Sequence, residues 1–299
     1  MKIIPDYPAH PTFFDPARAS AQIWRLLTGV VLAFGIYLTL NVLYSQFIQT
    51  AIQYDVPDVF DQIDRGDTAL GMYLLMASFV LMLLSTAIVT TALHHRAAQS
   101  LFGPLAVFVP QFVVVTLALV ALGVLLTVLP PWDMGGELVV NMPFGRWLLL
   151  LPFSLIAILV QVSAEEAFFR GYLQQQLAAR WNSPLIWMVL PSLMFGALHY
   201  APGTAGEHAV IIALWAGIFG MLMADLTARA GSLGPAIAVH FCNNVSAVIL
   251  VSLPDNLSGL ALYLAPFAMT DTEAMQAWLP VDFALMFVTW LAARLALRR

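Results

Sequence analysis

The run Trp147–Ala164, WLLLLPFSLIAILVQVSA, holds eighteen residues without a charge and is followed at once by Glu165–Gly171, EEAFFRG. A helix needs roughly 20 apolar residues to cross a bilayer, so the run reads as a membrane span. Working outward in both directions, apolar runs bounded by charge or by Pro and Gly predict eight spans: 26–48, 69–93, 105–129, 147–168, 184–200, 208–225, 234–253 and 278–296. The fifth is short, and the apolar piece 256–271 reads as interfacial or re-entrant. The expected fold is all-α, a polytopic membrane protein of about eight transmembrane helices.

Composition agrees. The 299 residues are 61% hydrophobic and 10% charged, against about 25% charged in soluble domains. A soluble globular protein is excluded, the lipid bilayer is the first partner, and no nucleic-acid partner is expected. A single cysteine, Cys242, excludes an intramolecular disulfide and a Cys-cluster metal site. The first 19 residues are polar and Pro-rich, and the apolar run after them is too long for a signal-peptide core, so no cleaved leader is expected. With no internal repeat or low-complexity linker, 1–299 is read as a single membrane domain with a polar N-terminus over about 1–20.

Orientation follows from basic residues in short loops. Lys2, Arg18, Arg25, Arg96, Arg170, Arg180, Arg229, Arg294, Arg298 and Arg299 fall on one side of the predicted topology; only Arg65 and Arg146 fall on the other. Both termini are therefore expected to be cytoplasmic. Eleven arginines to one lysine hint at a GC-rich bacterial genome, hence a bacterial inner membrane. The outer loop 55–67, DVPDVFDQIDRGD, spaces aspartates at 55, 58, 61, 64 and 67. It lacks the midway glycine and terminal glutamate of a calcium loop and reads as a solvated acidic segment.

The charges after the apolar run need a reason, because an unpaired ionisable residue in hydrocarbon costs roughly 3 kcal/mol or more. Glu166 and Arg170, four apart in the favourable order, share a helix face and suggest an ion pair. Glu165 is turned about 100° away and shares its face with Phe169, with no local partner. The bland reading is that both glutamates mark the end of a span. Two more polar sites bear on it. His199 closes Phe195-Gly-Ala-Leu-His199 near the far end of a short span; His240 lies mid-span with Asn244 on its face and Asn243 as a geometric rival. A carboxylate beside an imidazole can take a proton from water, making a nucleophile for an amide carbonyl. An imidazole and a carboxamide can donate hydrogen bonds to the oxyanion that develops. The rival chemistry uses Glu165, His199 and His240 as zinc ligands with one open position; sequence spacing does not separate the two.

EEAFFR (165–170), FGALH (195–199) and HFCNN (240–244) match, in order, the motifs EExxxR, FxxxH and HxxxN. The chain thereby resembles the CPBP family of intramembrane proteases, the CAAX protease and bacteriocin-processing or Abi group, which includes the type II CAAX prenyl endopeptidases. The resemblance covers about 150–250. Gly217 and Gly220 fit close helix approach, and Gly231-Ser-Leu233 precedes the third motif. It implies a helical fold with a cavity opening to the cytoplasm, and a peptide or protein substrate, in some relatives lipidated. By motif, Glu165 and His199 would activate water, His240 and Asn244 would lie on the oxyanion side, and Glu166 and Arg170 would be the supporting pair. The family is usually described as glutamate-dependent with no catalytic metal, so no cofactor is expected, zinc being the alternative.

Rival functions are a silent membrane binding or immunity protein and a proton-coupled transporter. No repeated halves of the kind many transporters show are found. A depth problem remains. At about 1.5 Å per residue, Glu165 lies about 27 Å from Trp147, and His199 about 22 Å from Pro184. For the two to meet, the fourth span must start above the outer interface or the fifth below the inner one. The polar Gln174-Gln-Gln176 would permit either as an interfacial continuation.

Overall fold

The computed structural model describes residues 7–129 and 134–298; Lys2 and Arg299, counted above for orientation, lie outside them. Its helices are α1 (His10–Phe14), α2 (Ile23–Ala51), α3 (Val59–Arg65), α4 (Ala69–Ala92), α5 (Leu105–Val128), α6 (Phe144–Ala178), α7 (Leu185–Leu198), α8 (Pro202–Ala230), α9 (Gly234–Leu250) and α10 (Thr272–Leu297). In lipid the backbone must satisfy its own hydrogen bonds, and the chain does so as helices. Each of the eight predicted spans is a helix. Six of these helices are long and apolar enough to cross a membrane, while α7 and α9 are shorter.

The bundle is built around α8. Half of the most apolar stretch of α8 is buried, against 11% for α5 and α10. Those outer helices turn leucines, valines and Phe287 outward, as a helix facing hydrocarbon does. Close approach to α7 depends on two glycines. A Cβ on Gly196 would lie 2.6 Å from Ala213 O, and one on Gly220 would lie 3.1 Å from Ser192 Cβ. Gly217, marked from sequence as a contact glycine, meets only ordinary contact at 3.7 Å; it is the surface that receives Gly196.

Boundaries follow local chemistry. Thr68 Oγ1 accepts from Gly71 N at 3.1 Å to cap α4, and Asp271 Oδ1 accepts from Ala274 N at 3.1 Å to cap α10. Gly231, at φ +74°, ends α8 in the left-handed conformation that glycine adopts without steric cost. The segment 256–271 is neither a span nor a re-entrant helix. Strands β1 (Val139–Val140), β2 (Val251–Ser252) and β3 (Tyr263–Leu264) form a small sheet in the order β1-β3-β2, antiparallel then parallel. Gly259 N donates to Gly66 O at 2.8 Å, which joins this cap to the acidic segment. That segment forms α3 with Val59 buried, and all five of its aspartates are exposed.

Toward the other end, α6 resolves the depth problem. It runs 35 residues, about 52 Å, well beyond a hydrocarbon core of about 30 Å. Its π-helical stretch Ala167–Gln174 leads into Gln174, Gln175 and Gln176, and all three are buried. Each finds its own partner. Gln174 donates to Ala224 O at 3.2 Å and sits 3.3 Å from His10 Nε2; Gln175 accepts from Arg96 and donates to Ser100 O at 2.9 Å; Gln176 donates to His94 Nδ1 at 3.0 Å. The triplet is thus a buried polar layer, not an interfacial surface. Since Gln176 donates to His94 Nδ1, the other ring nitrogen carries the hydrogen and donates to Tyr172 Oη at 2.8 Å. Burial lowers the pKa of His10 to about 3 and that of His94 to about 4, so both are neutral, and it lowers Arg96 to about 10.

Candidate active site

Four helices contribute, and α6 supplies the acids. Glu166 is fully buried, and Arg170, one turn on, donates from Nη1 to its Oε1 at 2.9 Å. The guanidinium also donates from Nη2 to Gly220 O at 3.2 Å and lies 4.9 Å from the centre of the Phe195 ring. A Cβ at Gly220 would stand 3.2 Å from that nitrogen, so the missing side chain makes room for the arginine.

His240, from α9, stands between the two glutamates. Its Nδ1 lies 2.9 Å from Glu166 Oε1 and its Nε2 lies 3.5 Å from Glu165 Oε2. Glu165 had no partner on its own helix; its neighbour comes from a residue 75 positions away. The edges of Phe195 and Phe219 hold the imidazole, with ring centres 6.2 and 5.1 Å from it. Of the two acids, only Glu165 reaches accessible space, its side chain being 13% exposed while Glu166 is sealed.

His199 comes from the end of α7. Its Nδ1 lies 2.8 Å from Phe195 O, within the same helix, so Nδ1–H donates to that carbonyl and Nε2 is left to face away from it. Phe169 of α6 touches Phe195 of α7, ring centres 5.0 Å apart. The helices are antiparallel, so Glu165, one turn before Phe169, and His199, one turn after Phe195, lie at the same depth. Asn244, one turn beyond His240, which meets Glu165 and Glu166, lies beside Gln161, one turn before Glu165 on α6. All six residues singled out from sequence, Glu165, Glu166, Arg170, His199, His240 and Asn244, therefore lie on three helices whose aromatic contacts join them at neighbouring levels.

The sequence reading missed Gln161. It is buried, one turn before Glu165, and its Oε1 accepts from Asn244 Nδ2 at 2.8 Å. The signal was available: it is the only amide in the uncharged run 147–164, four residues from the first glutamate. Asn243, the rival to Asn244, donates from Nδ2 to Asn244 Oδ1 at 3.2 Å, so the two act together. As metal ligands the candidates fit poorly. Among the described residues no three His, Cys, Asp or Glu side chains form a metal-holding group, and the nitrogens of His240 face two carboxylates already.

Residues 147–246 match the sequence model of the family described as type II CAAX prenyl endopeptidase Rce1-like, and that match contains every residue of the site. An uncharacterized protein of Bacillus subtilis, YyaK, is 24% identical over 271 residues, covering 83% of this chain and 84% of that protein. No solved structure matches the chain. The match is to a polytopic, all-α membrane family of CAAX protease type.

Proposed function

We propose, from the premise that residues 147–246 carry an Rce1-like core, that this protein is an intramembrane endopeptidase hydrolysing a peptide bond of a membrane-associated or lipid-linked substrate. The observation that carries the reading is the layered environment of the two adjacent glutamates. Glu166 is sealed and occupied by Arg170 and His240, while Glu165, beside His240 and one turn from the Gln161–Asn244 pair, reaches open space.

The steps follow from that asymmetry. A water beside Glu165 gives a proton to the carboxylate, with His199 Nε2 accepting its second hydrogen bond, and the oxygen attacks the carbonyl carbon. Charge gathers on the carbonyl oxygen, which accepts from Asn244 Nδ2–H and His240 Nε2–H. For His240 to donate there, both ring nitrogens must carry hydrogen, Nδ1 then donating to Glu166. The C–N bond breaks as Glu165 returns its proton to the leaving nitrogen. Arg170 stays out of the chemistry; it holds Glu166 and, through Glu166, the plane of the His240 ring. No step calls for a metal or other cofactor.

The arginines at the end of the bundle shared by α1 and the close of α10 favour a cytoplasmic face there, so both termini are cytoplasmic and cleavage occurs near that interface of a bacterial inner membrane. Mass spectrometry of peptide termini, in membranes of cells making the unmodified protein or its Glu165→Gln variant, tests the reading. Termini seen only with the unmodified protein name the substrates. Identical termini at equal protein levels would instead mean a silent binding or immunity protein.

A further inference from the structure

We propose that Gln161 is a positioning residue, whose side-chain oxygen fixes the rotation of the Asn244 carboxamide so that an N–H faces the scissile carbonyl; the proposal rests on the proteolytic reading above. A carboxamide is nearly symmetric in shape, so packing alone does not decide which end presents the oxygen and which the NH2. Only hydrogen bonds decide it. Asn244 is held at both ends, its Oδ1 accepting from Asn243 at 3.2 Å and one Nδ2 hydrogen going to Gln161 at 2.8 Å. That leaves one Nδ2–H without a protein partner among the described residues, on a side chain that is only half-buried. Turned by 180°, the same group would set its oxygen against the Gln161 oxygen and offer a carbonyl to the developing oxyanion. Reversal would therefore require all three amides to turn together.

The helix geometry explains the position. Gln161 is four residues before Glu165, on the same face of α6 and one turn farther from Arg170. One face of one helix thus carries the acid for the water and the group that orients the donor for the carbonyl oxygen. Gln161 is 6% exposed, and an amide sunk in an otherwise uncharged run is costly unless it is bonded.

The test uses purified full-length protein in detergent micelles and an internally quenched peptide ending in a prenylated CAAX sequence. Gln161→Leu, which keeps bulk but cannot accept, should lower kcat by about 10- to 100-fold with KM unchanged. Gln161→Glu, whose carboxylate only accepts, should keep kcat to within about threefold. A packing role predicts the opposite order, since leucine suits the span better than a carboxylate does. Combined with Asn244→Ala, the leucine substitution should add nothing. Undiminished kcat in Gln161→Leu, or a loss that multiplies in the double variant, overturns the proposal. If the unmodified protein leaves the peptide intact, the proteolytic reading fails for that substrate, and the lock is read without turnover. In protein labelled with 15N on asparagine side chains, the Asn244 NH2 resonances, identified by their loss in Asn244→Ala, should move in Gln161→Leu and stay in Gln161→Glu. Resonances unmoved by the leucine substitution overturn it.

Discussion

Two carboxylate–arginine pairs with the same i, i+4 spacing sit on neighbouring helices and do different work. Glu166–Arg170 on α6 closes at 2.9 Å with side chains 0% and 2% exposed. Asp225–Arg229 on α8 closes at 2.8 Å with side chains 10% and 15% exposed. Both oxygens of Asp225 are satisfied, by Arg229, by Tyr7 Oη at 2.8 Å and by Trp290 Nε1 at 3.1 Å. Glu166 has a buried oxygen, Oε2, with no partner among the described residues, and its other oxygen is shared between Arg170 and His240. The first pair is under-satisfied beside the site; the second is a strut tying the N-terminal segment and α10 to α8. Spacing gives a pair, and surroundings give its task.

Stripping the cation from each pair is the strongest way to break this contrast. Arg170→Ala leaves a buried carboxylate uncompensated and should cost about 3–5 kcal/mol, read as lower membrane abundance and lower thermal stability in detergent. Arg229→Ala, at a partly exposed pair whose acid keeps Tyr7 and Trp290, should cost only about 1 kcal/mol. Equal losses would remove the distinction. Glu165→Gln sharpens it from the other side: cleavage should fall by about a thousandfold or more while thermal stability stays within about 0.5 kcal/mol. A parallel loss of stability would make Glu165 a structural acid like its neighbour.

Acid probes the strut end. Burial keeps His10 neutral, with its pKa at about 3 against 6.5 for an unperturbed histidine, and His94 at about 4. As pH falls below 6.5 the unfolded chain takes up protons first. Stability is therefore full above pH 6.5 and declines by up to about 1.4 kcal/mol per unit for each histidine, until its folded pKa is reached. His10→Phe should flatten part of that slope in thermal unfolding measured from pH 7.5 to 5. Smallest of all, Tyr7→Phe removes one hydrogen bond to Asp225 at about 1 kcal/mol or less. Faster proteolysis confined to the N-terminal segment is the expected sign.

Much of the fold was legible because lipid leaves the backbone few choices. Runs such as 69–93 and 105–129 became α4 and α5 within a residue or so of the spans predicted for them. The ends of α6 and α8 were less legible. The triplet Gln174–Gln176 reads as polar surface until one sees that each glutamine meets a buried partner from another element. Gln161 was visible as an amide in a greasy run, but nothing in its spacing points to Asn244, 83 residues away. His240 paired with Asn244 by helical face; its place between Glu165 and Glu166 carries no local signature.

The sequence by itself determined the helices, the faces shared by residues three or four apart, and the three motifs in order, because 1.5 Å of rise and 3.6 residues per turn are properties of one helix. The tertiary structure alone decided depth and rotation between helices. It set how far α6 overruns the bilayer, which imidazole meets which carboxylate, and which of two like-spaced ion pairs is sealed. Those follow from close packing at Gly196 and Gly220 and from the rings of Phe169, Phe195 and Phe219, contacts between residues that no periodicity links.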